Sequence, residues 1–118
     1  DLASPWAKHI ISVSFPEGLG SAKAVRVGDI DGNGSLDIVY SCEKAHEPKR
    51  GLVWLSYNKT PMDSEWAVHD VSGPEGVKYD RVELVDIDGD GDLDVLTCEE
   101  RHEGVGIGVF WYENPLGK

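Results

Sequence analysis

Residues 86–94 constrain the fold of this chain more than any other stretch. They read Asp-Ile-Asp-Gly-Asp-Gly-Asp-Leu-Asp, so five carboxylates fall within nine residues. Without a counter-ion such a run repels itself, and it is expected either to be disordered or to surround a cation. The flanking residues 82–85 and 93–96 are largely apolar and β-branched, which is typical of buried strands. The sequence therefore predicts a cation-binding turn within a β-hairpin.

The residue types in this turn favour calcium. Ca²⁺ takes about six to eight oxygen ligands, which short aspartate side chains in a tight loop can supply, whereas Mg²⁺ needs a near-ideal octahedron and keeps its waters. Gly91 lies where an EF-hand loop turns sharply, but Thr97 stands where an EF-hand needs a bidentate glutamate. We therefore predict an EF-hand-like loop on a hairpin, not an EF-hand. Its expected ligands are the side chains of Asp86, Asp88, Asp90 and Asp94 and the backbone carbonyl of Asp92.

The loop occurs twice, because the chain is a tandem repeat. Four blocks recur in one order: residues 6–9 as 66–69, 27–39 as 84–96, 42–47 as 98–103, and 51–54 as 108–111. The first loop is expected to bind a second structural Ca²⁺ through the side chains of Asp29, Asp31, Asn33 and Asp37 and the backbone carbonyl of Ser35. Since Asn33 and Ser35 replace two carboxylates, we predict weaker binding here than in the second loop.

Each repeat predicts four β-strands and no helix. The apolar residues recur with a period near two, and glycine is abundant, with 14 in the chain. The eight predicted strands are residues 6–13, 24–30, 36–42, 52–57, 66–71, 82–87, 93–98 and 107–112. The expected fold class is therefore all-β.

The order of these elements resembles the FG-GAP and VCBS repeats of calcium-binding β-propellers. The matching pattern is Asp-x-Asp-Gly-Asx-Gly-x-Leu-Asp and a strand, then Gly-x-x-Trp, then Trp-x-x-His-x-Val/Ile, and it covers nearly the whole chain. Integrin α-subunit propellers and many secreted bacterial proteins carry such repeats. The resemblance implies that each repeat is a four-stranded antiparallel propeller blade, with the acidic loop after its innermost strand.

The resemblance also implies one module over residues 1–118. Repeat 1 would span about 14–71, and repeat 2 would span about 72–118 and be completed by the strand 6–13. Propellers close with about four to eight blades, so two blades cannot surround a channel. Three alternatives stay open here: a fragment of a larger propeller, a compact two-sheet sandwich, and a homo-oligomeric ring in which each N-terminal strand completes the neighbour's last blade.

The repeated Cys-Glu-x-x-His-Glu segment is a candidate secondary metal site. Cys42 with His46, and Cys98 with His102, are ligand types that transition metals prefer. Each copy supplies two or three of the four ligands that a structural zinc site needs, so buried thiols followed by a polar loop are the favoured interpretation. A disulfide between the two cysteines stays open, because repeat-equivalent positions need not approach each other.

Charge and composition narrow the class of partner. The net charge is −11, from 22 acidic against 11 basic residues, and the basic residues form no stripe beyond the pair Lys49 and Arg50. A nucleic-acid partner is therefore not expected. No apolar run approaches the length of a membrane span. The chain starts at Asp1 without a signal peptide, so we expect a processed or excised piece.

The resemblance implies an extracellular, secreted or periplasmic scaffold that binds or adheres to a carbohydrate or protein ligand. The alternative is a fragment of a polysaccharide-processing enzyme of the lyase or dehydratase type. Its acid and base groups would come from His46, His102, Glu43, Glu99, Arg101 and Tyr79. The tryptophans are expected to pack between sheets rather than to form a sugar-stacking platform; they are Trp6, Trp54, Trp66 and Trp111.

Overall fold

The computed structural model describes residues 1–101 and 104–118 and shows two antiparallel β-sheets. The first contains, in spatial order, β1 (Ser21–Gly28), β2 (Asp37–Glu43), β3 (Leu52–Ser56) and β4 (Ala67–Asp70). The second contains β5 (Tyr79–Val85), β6 (Asp94–Glu99) and β7 (Gly108–Tyr112). The described residues include no helix, and so none that is long and apolar enough to cross a membrane. The predicted all-β fold of antiparallel sheets is confirmed.

The two sheets follow one pattern. Val27 faces Ile38 in the β1–β2 pair, and Leu84 faces Val95 at the equivalent place in the β5–β6 pair. Near its start each of these first strands also has a register shift at the same repeat position. Because the hairpins share their register, the acidic loops that join β1 to β2 and β5 to β6 occupy equivalent places.

Two hydrophobic clusters stabilise the arrangement. The first lies between the sheets and contains Ile30, Val39, Leu52, Val82 and Val95. The second lies on the other face of the first sheet and contains Val53, Leu55 and Trp66. Successive side chains of a strand point to opposite faces, so Leu52 packs towards the second sheet and Val53 away from it.

The predicted strand 6–13 does not form, although the other seven do, with ends displaced by three residues or fewer. Residues 1–10 are all exposed, and Ser12 makes only an isolated parallel β-bridge with Glu65. Ile11 and Val13 pack against the second cluster, on the face of the first sheet that points away from the second sheet. The second repeat is therefore not completed by this segment, because the segment lies on the wrong side of the first sheet, and the second sheet has three strands.

Candidate metal centres

The first acidic loop is shaped by its own carboxylates. Asp37, buried at the start of β2, accepts a hydrogen bond from the backbone N–H of Ile30 at 2.8 Å. The two oxygens of Asp29 accept backbone N–H groups of Asn33 at 3.1 Å and Gly34 at 2.9 Å. Gly34 has a φ of +89°, in the left-handed region that favours glycine. The loop is thus a tight turn whose acidic side chains point inward.

The second loop repeats this geometry. Asp94, buried at the start of β6, accepts the backbone N–H of Ile87 at 2.9 Å. Asp86 accepts the backbone N–H groups of Asp90 at 3.1 Å and Gly91 at 2.9 Å. Each bond has its counterpart at the equivalent position of the first repeat, so the two sequences fold into one loop type despite their different charge.

Three carboxylates converge in each loop. In both groups every residue offers one oxygen, and these oxygens lie within 4.8 Å of one another. The groups are Asp29, Asp31 and Asp37 in the first loop, and Asp86, Asp88 and Asp94 in the second. The structure therefore brings together three of the five predicted positions of each loop, all as oxygen donors, which are the ligands that hard divalent cations prefer.

The other two predicted positions of each loop contact one another. The side-chain oxygen of Asn33 accepts the backbone N–H of Ser35 at 2.7 Å. At the equivalent place, Asp90 accepts the backbone N–H of Asp92 at 3.2 Å. The backbone N–H groups of Asn33 and Asp90 also donate to Asp31 and Asp88, which links these positions to the converging aspartates.

The segment after β7 closes over the second loop, which the sequence did not predict. Glu113 offers a carboxylate oxygen within 4.8 Å of oxygens of Asp88 and Asp90. Lys118 forms ion pairs with this group, at 3.3 Å to Glu113 and also to Asp90. The repeat gives no signal for these contacts, because Ser56 holds the position equivalent to Glu113. The acidic cluster thus already attracts a cationic group of the chain.

Asn114 links the two loops directly. Its side-chain amide donates hydrogen bonds to the carbonyls of Ile30 at 2.9 Å and Leu93 at 3.0 Å. Its backbone N–H donates to the buried carboxylate of Asp94 at 2.9 Å. Sequence reasoning missed this residue too, since Tyr57 occupies the equivalent position. One side chain therefore couples the geometry of both candidate centres.

Electrostatics within the loops fit a bound cation. Burial, followed by repulsion from Asp31, raises the pKa of Asp37. Burial and the charges of neighbouring aspartates raise the pKa of Asp92, whose Oδ1 is enclosed and has no hydrogen-bond partner in the described part of the chain. A divalent cation among these oxygens would remove both penalties. The donor set and its charge therefore suit an ion such as Ca²⁺.

Among the described residues, the two cysteines and His46 do not form a comparable group. Cys42 is buried, which raises the pKa of its thiol to about 11, whereas His46 is exposed. Cys98 lies opposite Arg81, the place that Ser41 holds in the first sheet. Neighbouring residues of a strand point to opposite faces, so the predicted equivalence of the two cysteines is wrong by one residue.

Cys42 and Cys98 are both free thiols, so the disulfide that stayed open does not form. His102 lies outside the described residues, and its pairing with Cys98 stays a prediction. Within residues 1–101 and 104–118, each group of three candidate ligands consists of carboxylates alone.

The candidate acid and base groups have mixed surroundings. Glu99 is buried, and its carboxylate accepts three backbone N–H groups at 2.9–3.2 Å. Tyr79 is buried, and its hydroxyl donates to the carbonyl of Glu75 at 2.6 Å. His46 and Arg101 line one surface depression. Glu99 and Tyr79 therefore make structural contacts, whereas the pair in the depression is accessible to a solute.

The tryptophans differ between the sheets. Trp66 is buried in the second cluster, and Trp54 stacks on His69 with 3.8 Å between ring centroids. Trp6 is 82% exposed and Trp111 is 38% exposed. The predicted packing between the sheets holds for Trp54, which packs against the first cluster, whereas Trp66 is buried on the outer face of the first sheet and the two repeat equivalents are exposed.

Comparisons of this chain with family models, with curated proteins and with solved structures give no match. The likeness to calcium-binding propeller repeats therefore rests on the sequence motif alone. It is a proposal about this chain.

Proposed function

We propose that this chain is a calcium-stabilised module of propeller-blade repeats that serves as a binding or adhesion scaffold outside the cytoplasm. One observation carries the proposal: two repeat-equivalent loops each bring three aspartate carboxylates within 4.8 Å of one another. Ca²⁺ accepts irregular sets of oxygen ligands, whereas Mg²⁺ demands a near-ideal octahedron. Two such ions would neutralise four of the eleven net negative charges.

The role of the ions would be structural. Asp37 and Asp94 are buried at the first residues of the central strands β2 and β6, and each holds the far side of its loop by a backbone hydrogen bond. Neutralising the converging carboxylates would remove their repulsion and fix both hairpins. Because Asn114 bonds to both loops, occupancy of one centre is expected to stabilise the other.

The blade assignment belongs to the same proposal. Its support is that each sheet pairs its strands in sequential antiparallel order, and that the first strands β1 and β5 of the two sheets contact each other. We propose a carbohydrate or a protein as ligand. The scaffold is favoured over an enzyme because the carboxylate of Glu99 and the hydroxyl of Tyr79 are hydrogen-bonded to backbone groups.

Titration of Ca²⁺ into chelator-stripped protein tests the proposal. We expect two binding events in calorimetry, the tighter one at the second loop, which carries more carboxylates. At a free ion concentration of about 100 times Kd, one site adds about 2.7 kcal/mol, which is roughly 10 °C in Tm. No binding heat and no rise in Tm would contradict the proposal.

Two matched variants separate ion binding from loop geometry. Asp31→Asn and Asp88→Asn each remove one charge at an equivalent position and retain the oxygen that accepts the N–H of the residue two places on. We expect loss of the weaker event in the first variant and of the tighter event in the second. Glu17→Gln, at an exposed acid outside both loops, should leave both events intact. Equal destabilisation with and without Ca²⁺ would show that these aspartates act only as hydrogen-bond acceptors.

A further inference from the structure

The outer edge of β7 has no strand beside it in the described part of the chain, whereas the equivalent strand β3 is covered by β4. Val109 is 82% exposed on β7, and Trp111 is also exposed. Unpaired backbone N–H and C=O groups next to apolar side chains are a template for another strand. This edge, residues 107–113, is therefore a candidate site for an added strand.

Contacts between β3 and β4 define what such a strand must offer. Trp54 lies opposite His69, and their rings stack at 3.8 Å. The hydroxyl of Ser56 shares a hydrogen bond of 2.9 Å with Nε2 of His69. Arg50, just before β3, forms an ion pair of 2.6 Å with Asp70 at the end of β4. The first sheet thus closes its edge with a stack, a polar contact and an ion pair.

The chain carries a second copy of the β4 motif, in residues 6–9, which is not part of either sheet. Residues 6–9 read Trp-Ala-Lys-His, against Trp-Ala-Val-His at 66–69. Residues 1–10 are exposed and belong to no strand, and Ile10 is 74% exposed. One strand edge that lacks its partner and one partner segment that lacks its strand therefore occur in the same chain.

The register of the first sheet, transferred to β7, gives a matched set of side chains. His9 falls opposite Trp111, which reproduces the aromatic stack. Glu113 corresponds to Ser56, so a carboxylate that can accept from the histidine would stand where the first sheet has a hydroxyl. The exposed tryptophan and histidine would thereby be covered as Trp54 and His69 are.

Both residues of the Arg50–Asp70 ion pair are replaced at the equivalent positions of the proposed edge. Arg50 corresponds to Ile107 and Asp70 corresponds to Ile10, so a charged pair becomes an apolar pair. Had only one of the two positions changed, the joined edge would bury an unpaired charge. This double replacement is an observation independent of the Trp-Ala-x-His motif: both charges are lost together, so no unpaired charge is left at an edge where residue 10, in the register of Asp70 against Val53, would face Phe110.

We propose that residues 6–10 of a second copy of this chain add to β7 as the antiparallel fourth strand of the second sheet. The molecule's own segment is held elsewhere, because Ile11 and Val13 pack on the outer face of the first sheet. Such an association is head-to-tail, and it closes into a ring or extends as a filament according to the rotation between copies. It uses no group of the two repeated aspartate triads, and it shares with the second loop only Glu113, whose carboxylate also lies within 4.8 Å of oxygens of Asp88 and Asp90.

Cross-linking measures the register of the joined strands. Ser56 faces Ala67 in the first sheet, so Glu113 of one copy should face Ala7 of the next. In a background with Cys42→Ala and Cys98→Ser, a mixture of an Ala7→Cys chain and a mass-labelled Glu113→Cys chain should form the mixed disulfide. The off-register control, Lys8→Cys with Glu113→Cys, should form far less of it, because neighbouring strand residues point to opposite faces.

Introducing charges at residues 10 and 107 tests the same interface without cysteines. Ile10→Asp or Ile107→Arg alone should weaken self-association by about tenfold or more, because each leaves a charge unpaired at the joined edge. The double variant should recover most of the loss by recreating the Arg50–Asp70 arrangement. Both positions are exposed in a single copy, so folding, followed by circular dichroism, should not change.

Analytical ultracentrifugation of the unchanged chain gives the baseline. Assembly that depends on concentration, on residue 10 and on residue 107 supports the proposal. A strict monomer at millimolar concentration would overturn it and leave the β7 edge to a strand from outside residues 1–118. Assembly that is insensitive to both single variants, or equal cross-linking in and out of register, would overturn it as well.

Discussion

The two sheets share an acidic loop, a strand register and a bulge position, yet they differ in how they are completed. The first has four strands, and its outer edge is closed by the Trp54–His69 stack. The second has three within the described residues, and the equivalent Trp111 is exposed. Local sequence is enough to build the hairpin and its loop twice. Completion of an edge depends instead on which segment of chain can reach it.

Equivalent positions also differ in what they bury. Ala22 is exposed near the start of β1, whereas Tyr79, at the same position of the second repeat, is buried. In the strand register Cys42 occupies the place that Glu99 holds in the second sheet. The second sheet thus uses a large aromatic ring and a buried carboxylate where the first has small side chains, and both bond to backbone groups of neighbouring loops.

The largest effect is expected from Tyr79→Ala. The ring fills the space beside Gly51 and Gly76, where an added Cβ would come within 2.5 Å and 2.4 Å of Tyr79 atoms. Removing it should lower the free energy of unfolding by about 3–5 kcal/mol in denaturant titrations, because a large buried cavity remains. Tyr79→Phe, which loses the bonds of the hydroxyl to the carbonyl of Glu75 and to the hydroxyl of Tyr112, should cost about 1–2 kcal/mol.

The matched control is Ala22→Gly, which should cost no more than about 1 kcal/mol. If this substitution destabilised the protein as much as Tyr79→Ala, the two equivalent positions would contribute equally to the free energy of unfolding. The asymmetry between the sheets would then be contradicted.

A smaller effect is expected from Glu99→Gln. The carboxylate accepts the backbone N–H groups of Val77, Lys78 and Ile107, which ties the segments before β5 and before β7 to β6. A glutamine places an NH₂ group against at least one of these donors. We expect a loss of about 1–3 kcal/mol in the free energy of unfolding.

The same residue predicts a pH dependence. Burial alone would raise the pKa of Glu99, but its three backbone N–H donors together lower it below its ordinary value. A lowered folded pKa means that the contribution to stability is fully present above the unfolded pKa and is lost as pH falls through the folded pKa. Urea midpoints should therefore fall less steeply on the acid side in Glu99→Gln than in the unchanged chain. Parallel acid profiles of the two proteins would refute the assignment.

The smallest effect is expected between the sheets. Arg26 and Glu83 occupy equivalent positions on β1 and β5, and their side chains pair at 3.1 Å. Both are exposed, so Arg26→Ala should lower the urea midpoint only slightly, and the effect should shrink at high salt. The reversed pair, Arg26→Glu with Glu83→Arg, should be close to neutral. A large, salt-independent loss would mean that the sheets depend on this pair rather than on the apolar cluster between them.

Much of the fold could be predicted, because its signals are local. The alternation of apolar residues indicated seven strands that form, and the recurrence of the Asp-Gly pattern indicated that Asp29 and Asp86 start equivalent loops. Glycines in the left-handed region and aspartates that accept nearby N–H groups act over a few residues. Such contacts are readable without knowledge of the rest of the chain.

The features that the sequence predicted wrongly or missed share one cause, because each depends on residues that are distant along the chain. Residues 6–13 have the pattern of a strand, but a strand needs an open edge, and this segment packs on the outer face of the first sheet instead. Glu113 and Asn114 approach the acidic loops only because β7 ends beside them. The cysteine motif was aligned by its letters, whereas hydrogen-bond register places Cys98 one residue out of step with Cys42.

The sequence by itself therefore determined the all-β character, the tandem repeat and the two acidic turns, because periodicity, glycine placement and aspartate spacing act at short range. Only the tertiary structure decided which carboxylates converge, that Asn114 joins the two loops, and that one sheet is complete while the other has an open edge. The physical reason is range: hairpins form from neighbouring residues, whereas edges and shared sites form from segments that packing brings together.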